Sequence, residues 1–114
     1  MPPPAVTLVH FQIETPVVKF GTPLTFKIGL HSEAKEAQDL IIDYIIHHKK
    51  ANGRTTPKVF KWKGLRLHSG TTHHAVKKHP FKTITTRVYY PGLHRLELLI
   101  NGEVQGGGTF ELQM

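Results

Sequence analysis

The chain has 114 residues, enough for one domain with one ordinary core. It contains no cysteine, which excludes disulfides, thiolate metal sites and a thiol nucleophile. Fifteen Lys and Arg against eight Asp and Glu leave a net charge of +7 with histidine neutral. That balance suits an anionic partner such as nucleic acid or an acidic protein surface, and it equally suits simple solubility.

The opening MPPPAVTLVHFQI has no basic leader and no long apolar core, so neither a signal peptide nor a membrane span is expected. With the missing cysteines, this fits a cytoplasmic protein. Prolines 2–4 make a short extended lead-in. Residues 6–13 are apolar, β-branched and aromatic, which suits a first strand. Thr15-Pro16 breaks it, and residues 17–20 resume an extended run. In residues 24–31 the alternation is clean. Leu24, Phe26, Ile28 and Leu30 share the inward face, and Thr25, Lys27, Gly29 and His31 the other. Residues 32–38 (SEAKEAQ) are too short and polar for a packed helix and read as a loop.

Leu40, Ile42, Tyr44 and Ile46 then share one strand face, with Ile41, Asp43, Ile45 and His47 on the other. Both faces are fairly apolar, as in a central strand covered on both sides for part of its length. Asn52-Gly53 marks a turn within a loop that Pro57 ends. In residues 58–63, Phe60 and Trp62 face one way and Val59, Lys61 and Lys63 the other. Gly64 interrupts the run before Leu65-Arg66-Leu67, so a bulge or a sheet switch is expected there. His68-Ser69-Gly70 is a turn, and residues 71–79 form a weakly alternating strand with Val76 as its strongest apolar member. Pro80-Phe81 anchors a segment in which Ile84 and Val88 share a face. Tyr89-Tyr90-Pro91-Gly92 is a turn by its chemistry. Residues 93–100 alternate, with His94, Leu96, Leu98 and Ile100 together. Asn101-Gly102 is the favoured pair for a type I′ hairpin. Residues 103–108 read as a loose glycine-rich loop and 109–112 as a last strand. Seven or eight short strands at turn-bounded spacing, with no helical period, predict an all-β immunoglobulin-like antiparallel sandwich filling residues 1–114.

The charge is not spread evenly. Between Asp43 and Glu97 there is no acidic residue, yet that window holds 12 of the 15 Lys and Arg and 7 of the 9 His. Lys49, Lys50, Arg54, Lys58, Lys61 and Lys63 fall in one hairpin-like unit, with Lys61 and Lys63 on one face by parity. Phosphate contact needs such a surface and carries no sequence information. The alternative is a solvated face whose lysines guard an edge. Phe60 and Trp62 take the opposite parity to Lys61 and Lys63, which disfavours stacking on unpaired bases.

No catalytic residue stands out. Asp39 and Asp43 lie four apart on a strand, roughly 13 Å, too far to act as a paired acid and base. No nucleophile-elbow, zincin or P-loop pattern is present. Gly106-Gly107-Gly108 has no Lys-Ser/Thr after it. The neighbours His47-His48 and His73-His74 point to opposite faces of their strands, so neither pair chelates one ion. Histidines gathered by folding, for example from residues 71–79 and His94, are the one route to zinc. Surface and hydrogen-bonded histidines are the simpler reading. No metal and no cofactor are expected.

The phrases IDYIIHHKKANGRTTPKVFKWK (residues 42–63), KKHPFKTITTRVYYPGLHRLELLING (77–102) and TFEL (109–112) resemble the C-terminal tail of bacterial DNA alkylation repair-like proteins. In that family a helical-repeat region related to alkylpurine DNA glycosylases precedes the tail and carries base excision. This chain has no such region, so the resemblance brings no catalytic residue to any position here. It implies a non-catalytic accessory β-domain, or a free-standing relative, linked to DNA repair by context rather than by a site; the basic surface adds the expectation that the domain assists DNA binding. The other expectation is a protein–protein module that docks on a helical-repeat partner or on itself through an edge strand.

Overall fold

The computed structural model describes residues 3–81 and 89–114. They form β1 (Val6–Ile13), β2 (Val17–Lys19), β3 (Pro23–Ser32), β4 (Gln38–Lys49), β5 (Thr55–Leu67), β6 (Thr72–Pro80), β7 (Gly92–Ile100) and β8 (Glu103–Gln113). A three-stranded sheet has the order β1-β3-β6, and a five-stranded sheet the order β2-β8-β7-β4-β5. Every neighbouring pair is antiparallel except β2 with β8. Two sheets face to face make the all-β, immunoglobulin-like sandwich expected from the turn spacing. Among the described residues no helix is long and apolar enough to cross a membrane. The segment with Ile84 and Val88 lies outside the described residues.

The core follows strand parity. Leu24, Phe26, Ile28 and Leu30 of β3 are buried against Leu40, Ile42, Tyr44 and Ile46 of β4 and Leu96, Leu98 and Ile100 of β7. Val18, Phe81, Phe110 and Leu112 complete it. Phe26 sits at its centre, with ring centroids 5.4 Å from Tyr44 and 5.5 Å from Trp62. Burying each such side chain contributes about 1.5–3 kcal/mol. The β7–β8 hairpin turns at Asn101-Gly102 with φ of 50° and 80°, positive at both positions as a type I′ turn requires.

Three expectations are corrected, and the inward face of β6 is defined. Among the described residues there are two sheets and no third layer over the outer face of β4, where Ile41 is exposed although Asp43 is buried. Pro57 does not end a loop; it lies within β5 opposite His47, and an edge strand tolerates its missing N–H on the unpaired side. Val76 is exposed, because the inward parity of β6 belongs to His73, Ala75, Lys77 and His79, which pair with Leu30, Ile28, Phe26 and Leu24. Residues 103–108 are not a loop. They are the first half of β8, paired to β7 except at Gln105, where the register shifts by one residue. The glycines are there because β1 crosses close over this strand. A Cβ at Gly106 would come within 2.6 Å of Leu8 Cδ2, and one at Gly108 within 3.1 Å of Ile13 Cδ1.

The bulge in β5 is also displaced from Gly64. Lys63 pairs with Ile42 and Lys61 with Asp43, so the extra residue is Trp62. One inserted residue inverts the parity beyond it. This shift decides where the lysines of β5 point.

Candidate nucleic-acid interface

The β4–β5 hairpin brings the six candidate cations together in sequence but not on one face. Its turn is closed by Lys50 N–H donating to the Arg54 carbonyl at 2.7 Å and Gly53 N–H donating to that of Lys50 at 3.0 Å. The Asn52 side chain accepts the Arg54 N–H at 3.0 Å. Lys50 and Arg54 are therefore displayed, exposed, on a fixed tip. Lys49 has outward parity and is half-buried, its stem lying across Gly92 at the start of β7.

Cross-strand partners share a face. Lys61, opposite Asp43, faces out, and its Nζ lies 3.7 Å from Asp43 Oδ2. Lys58, opposite Ile46, and Lys63, opposite Ile42, take the side that looks toward the other sheet. The expectation that Lys61 and Lys63 share a face is thus overturned, and the Trp62 bulge is the reason. Trp62 and Lys63 come together instead, with Lys63 Nζ 5.6 Å from the Trp62 ring centre.

The two sides differ in their electrostatics. The outer face of the five-stranded sheet is largely self-neutralised: Arg66 pairs with Asp39 at 3.1 Å, Lys61 with Asp43, and both Arg95 and His47 with Glu97. Asp39 and Asp43 thus each hold their own cation. The other side is a seam between two sheet edges, β5 and β6. There Lys63 Nζ donates to His73 Nε2 at 3.0 Å. Burial, then the Lys63 charge, then His74 push His73 below the usual imidazole value, which keeps it a neutral acceptor. Lys77 of β6 also has inward parity and is half-buried. Among the described residues, no carboxylate forms an ion pair with Lys58, Lys63 or Lys77. Parity alone hid this seam. The only sequence signal for it is the alternation of Lys77 with His79 and His73.

The histidines divide. His73 lies in the seam, and His74 flanks Gly29 on the outer face of the three-stranded sheet. His48, His79 and His94 are buried around Phe81, with His48 and His94 centroids 6.0 Å apart. The Tyr44 hydroxyl and His79 Nδ1 share a hydrogen bond of 2.7 Å. His94 Nδ1–H donates to the Gly92 carbonyl at 3.0 Å, while its Nε2 is buried with no hydrogen-bond partner. Among the described residues no three His, Asp or Glu side chains are grouped to hold a metal ion.

Known proteins share this fold and part of its sequence. The chain is 34% identical over 95 residues to the uncharacterized protein YhaZ of Bacillus subtilis, covering 83% of this chain and 26% of that protein. It superposes on a Pseudomonas fluorescens alkylpurine DNA glycosylase AlkC, solved bound to DNA containing an abasic site analog. That match has a TM-score of 0.93 and 33% identity, and covers 97% of this chain and 31% of the other. A β-glucosidase from Listeria innocua matches at a TM-score of 0.73 over 96% of this chain and 16% of its own, but at 14% identity this likeness is of fold alone. The chain therefore spans about a quarter to a third of the YhaZ and AlkC lengths, in keeping with the tail resemblance carried by residues 42–63 and 77–102. The family described as "Uncharacterised protein YhaZ, C-terminal Ig-like domain" matches residues 7–114, and this chain belongs to it.

Proposed function

We propose that this Ig-like domain is a non-catalytic, cytoplasmic accessory unit of a DNA alkylation repair-like protein, and that its cations assist DNA binding. The observation that supports this best is the acid-free window of residues 44–96, which places Lys50, Arg54 and Lys58 in solvent with no carboxylate ion pair among the described residues. The DNA-bound state of the AlkC relative points the same way. Of the six cations, Lys50 and Arg54 at the tip are the best exposed for phosphate. Lys49 is held across Gly92, and Lys61 is already shared with Asp43.

Phosphate contacts release counterions, so affinity must fall steeply with salt. Fluorescence anisotropy with plain and alkylated duplex DNA at 50 mM and 200 mM salt tests the reading. The expected result is equal binding of both duplexes, much weaker at the higher salt, with no release of alkylated base. Lys50→Glu with Arg54→Glu is expected to weaken binding at low salt. A wild-type chain that binds neither duplex at low salt ends the reading.

A second reading is a protein-docking module. It is favoured by the shallow groove on the outer face of the three-stranded sheet, lined by Val9, His10, Lys27, His74 and Val76, where Val9 and Val76 are about half exposed. A helical-repeat region of the same protein or a second copy of the chain are its candidate occupants. Light scattering that gives a dimer, together with no DNA binding, would favour it.

A further inference from the structure

We propose that the seam between the free edges of β5 and β6 is itself a phosphate-backbone site, in which Lys58, Lys63 and Lys77 straddle one strand of duplex DNA and Trp62 forms the floor. This deepens the DNA reading above and rests on it.

Three independent features converge on the seam. The first is the Trp62 bulge. A regular strand would send Lys63 to the outer face beside Lys61, where Asp43 neutralises cations. The inserted residue sends it inward, against His73 on the edge strand of the opposite sheet, the strand that also carries Lys77 with inward parity. A bulge that re-aims one side chain is a recurrent device at sheet edges near sites.

The second feature is the charge balance. The outer face pairs its cations with Asp39, Asp43 and Glu97. The seam gathers three lysines from two sheets with no carboxylate ion pair among the described residues. Lys63 has only the neutral His73 imidazole and the Trp62 ring for company. Three cations along one seam, with no carboxylate paired to them among the described residues, leave it electropositive. A phosphate supplies what is missing, and its charge is largest in effect where the flanking rings exclude water.

The third feature is backbone. Among the described residues β5 and β6 are both edge strands, so each has N–H groups that no described strand accepts. Backbone N–H groups are regular partners of phosphate oxygens. Lys58 and Lys63 lie about 15 Å apart along β5, about half a helical turn of duplex. Trp62 stays half-buried under Lys63, so it senses the site without needing to stack on a base.

The test uses the whole chain and duplex DNA of arbitrary sequence, read by anisotropy across a salt series. Lys63→Gln with Lys77→Gln is expected to weaken binding about tenfold and to lower the salt slope by about 2, since each lost phosphate contact removes about 0.9. Lys19→Gln with the same charge change per residue sits on β2, the opposite edge of the five-stranded sheet, and is expected to change affinity less than twofold. Circular dichroism checks that the variants fold. A second readout does not depend on any variant: Trp62 is the only tryptophan, and its emission is expected to change saturably with the same midpoint as the anisotropy. Wild-type binding without change in Trp62 emission, or a seam double variant that binds as tightly as wild type, overturns the seam and leaves the DNA reading standing. No binding by the wild type removes both.

Discussion

The buried polar residues set the behaviour of single sites. Tyr44 is 2% exposed, and burial pushes its phenol up to about 12, so it remains an O–H group at any ordinary pH. Replacing it with Phe removes the hydroxyl from buried His79 Nδ1. The expected cost is about 1–3 kcal/mol, read by urea denaturation at pH 7.5. His94 behaves oppositely. Burial, against the opposing Gly92 carbonyl and with help from the Lys49 charge, holds its imidazole below the ordinary 6.5. Above that value both folded and unfolded chains carry it neutral. As pH falls below 6.5 the unfolded chain takes up a proton that the folded chain resists, so stability is lost progressively. Denaturation midpoints at pH 7.5, 6.5 and 5.5 should decline in wild type, and decline less in His94→Phe, whose ring suits the aromatic surroundings of Phe81 and Phe110. Equal declines would clear His94 of the effect. The inward face of β3 was readable from the sequence at this scale because its side chains alternate without a break. Lys63 was not, because one extra residue inverts every parity argument beyond it. Trp62, which makes the insertion, is an ordinary core aromatic by composition.

Among the elements, β8 shows how composition misleads. Three consecutive glycines suggest a loop, since glycine weakens a strand. Here Gly106 and Gly108 let β1 pack closely over the hairpin, and Gly107 lies tight against β7, tertiary requirements that no local pattern announces. The glycines are not equivalent. A Cβ at Gly106 meets the mobile end of Leu8, whereas one at Gly107 meets the Leu96 carbonyl at 2.6 Å, which is backbone and cannot swing aside. Gly107→Ala is therefore expected to cost about 1–3 kcal/mol, as overpacking does, and Gly106→Ala clearly less. Equal melting temperatures for the two variants would contradict this. The turn after β7 was legible for the opposite reason: its requirement is local. Asn101 and Gly102 both take positive φ, and that need is written in their chemistry.

For the whole molecule, the charge window was the most legible functional sign, and its division into two environments the least. Counting shows that residues 44–96 have no acid. It does not show that Asp39, Asp43 and Glu97, from just outside that window, fold back over its outer face while leaving the seam unbalanced. A consequence follows for salt. The cations of the outer pairs, Lys61, Arg66 and Arg95, are at least half exposed, and ion pairs with so solvated a partner contribute little to stability. Raising salt from 50 to 200 mM should therefore leave the melting temperature nearly unchanged while DNA affinity falls by orders of magnitude. A melting temperature that drops in parallel would mean that the same charges hold the fold together.

The parallel pairing of β2 with β8 reaches further than its three residues suggest. Val17 meets Glu111 and Lys19 meets Gln113, so the first sheet-switching segment is stitched to the last strand of the chain. Contacts that span almost the entire sequence form late and slowly. On the ribosome, Val18 must wait for its place in the core until residue 112 has left the exit tunnel. A truncation at residue 110 would spare the β4–β5 hairpin and still release β2, opening the sandwich from the edge opposite its cations.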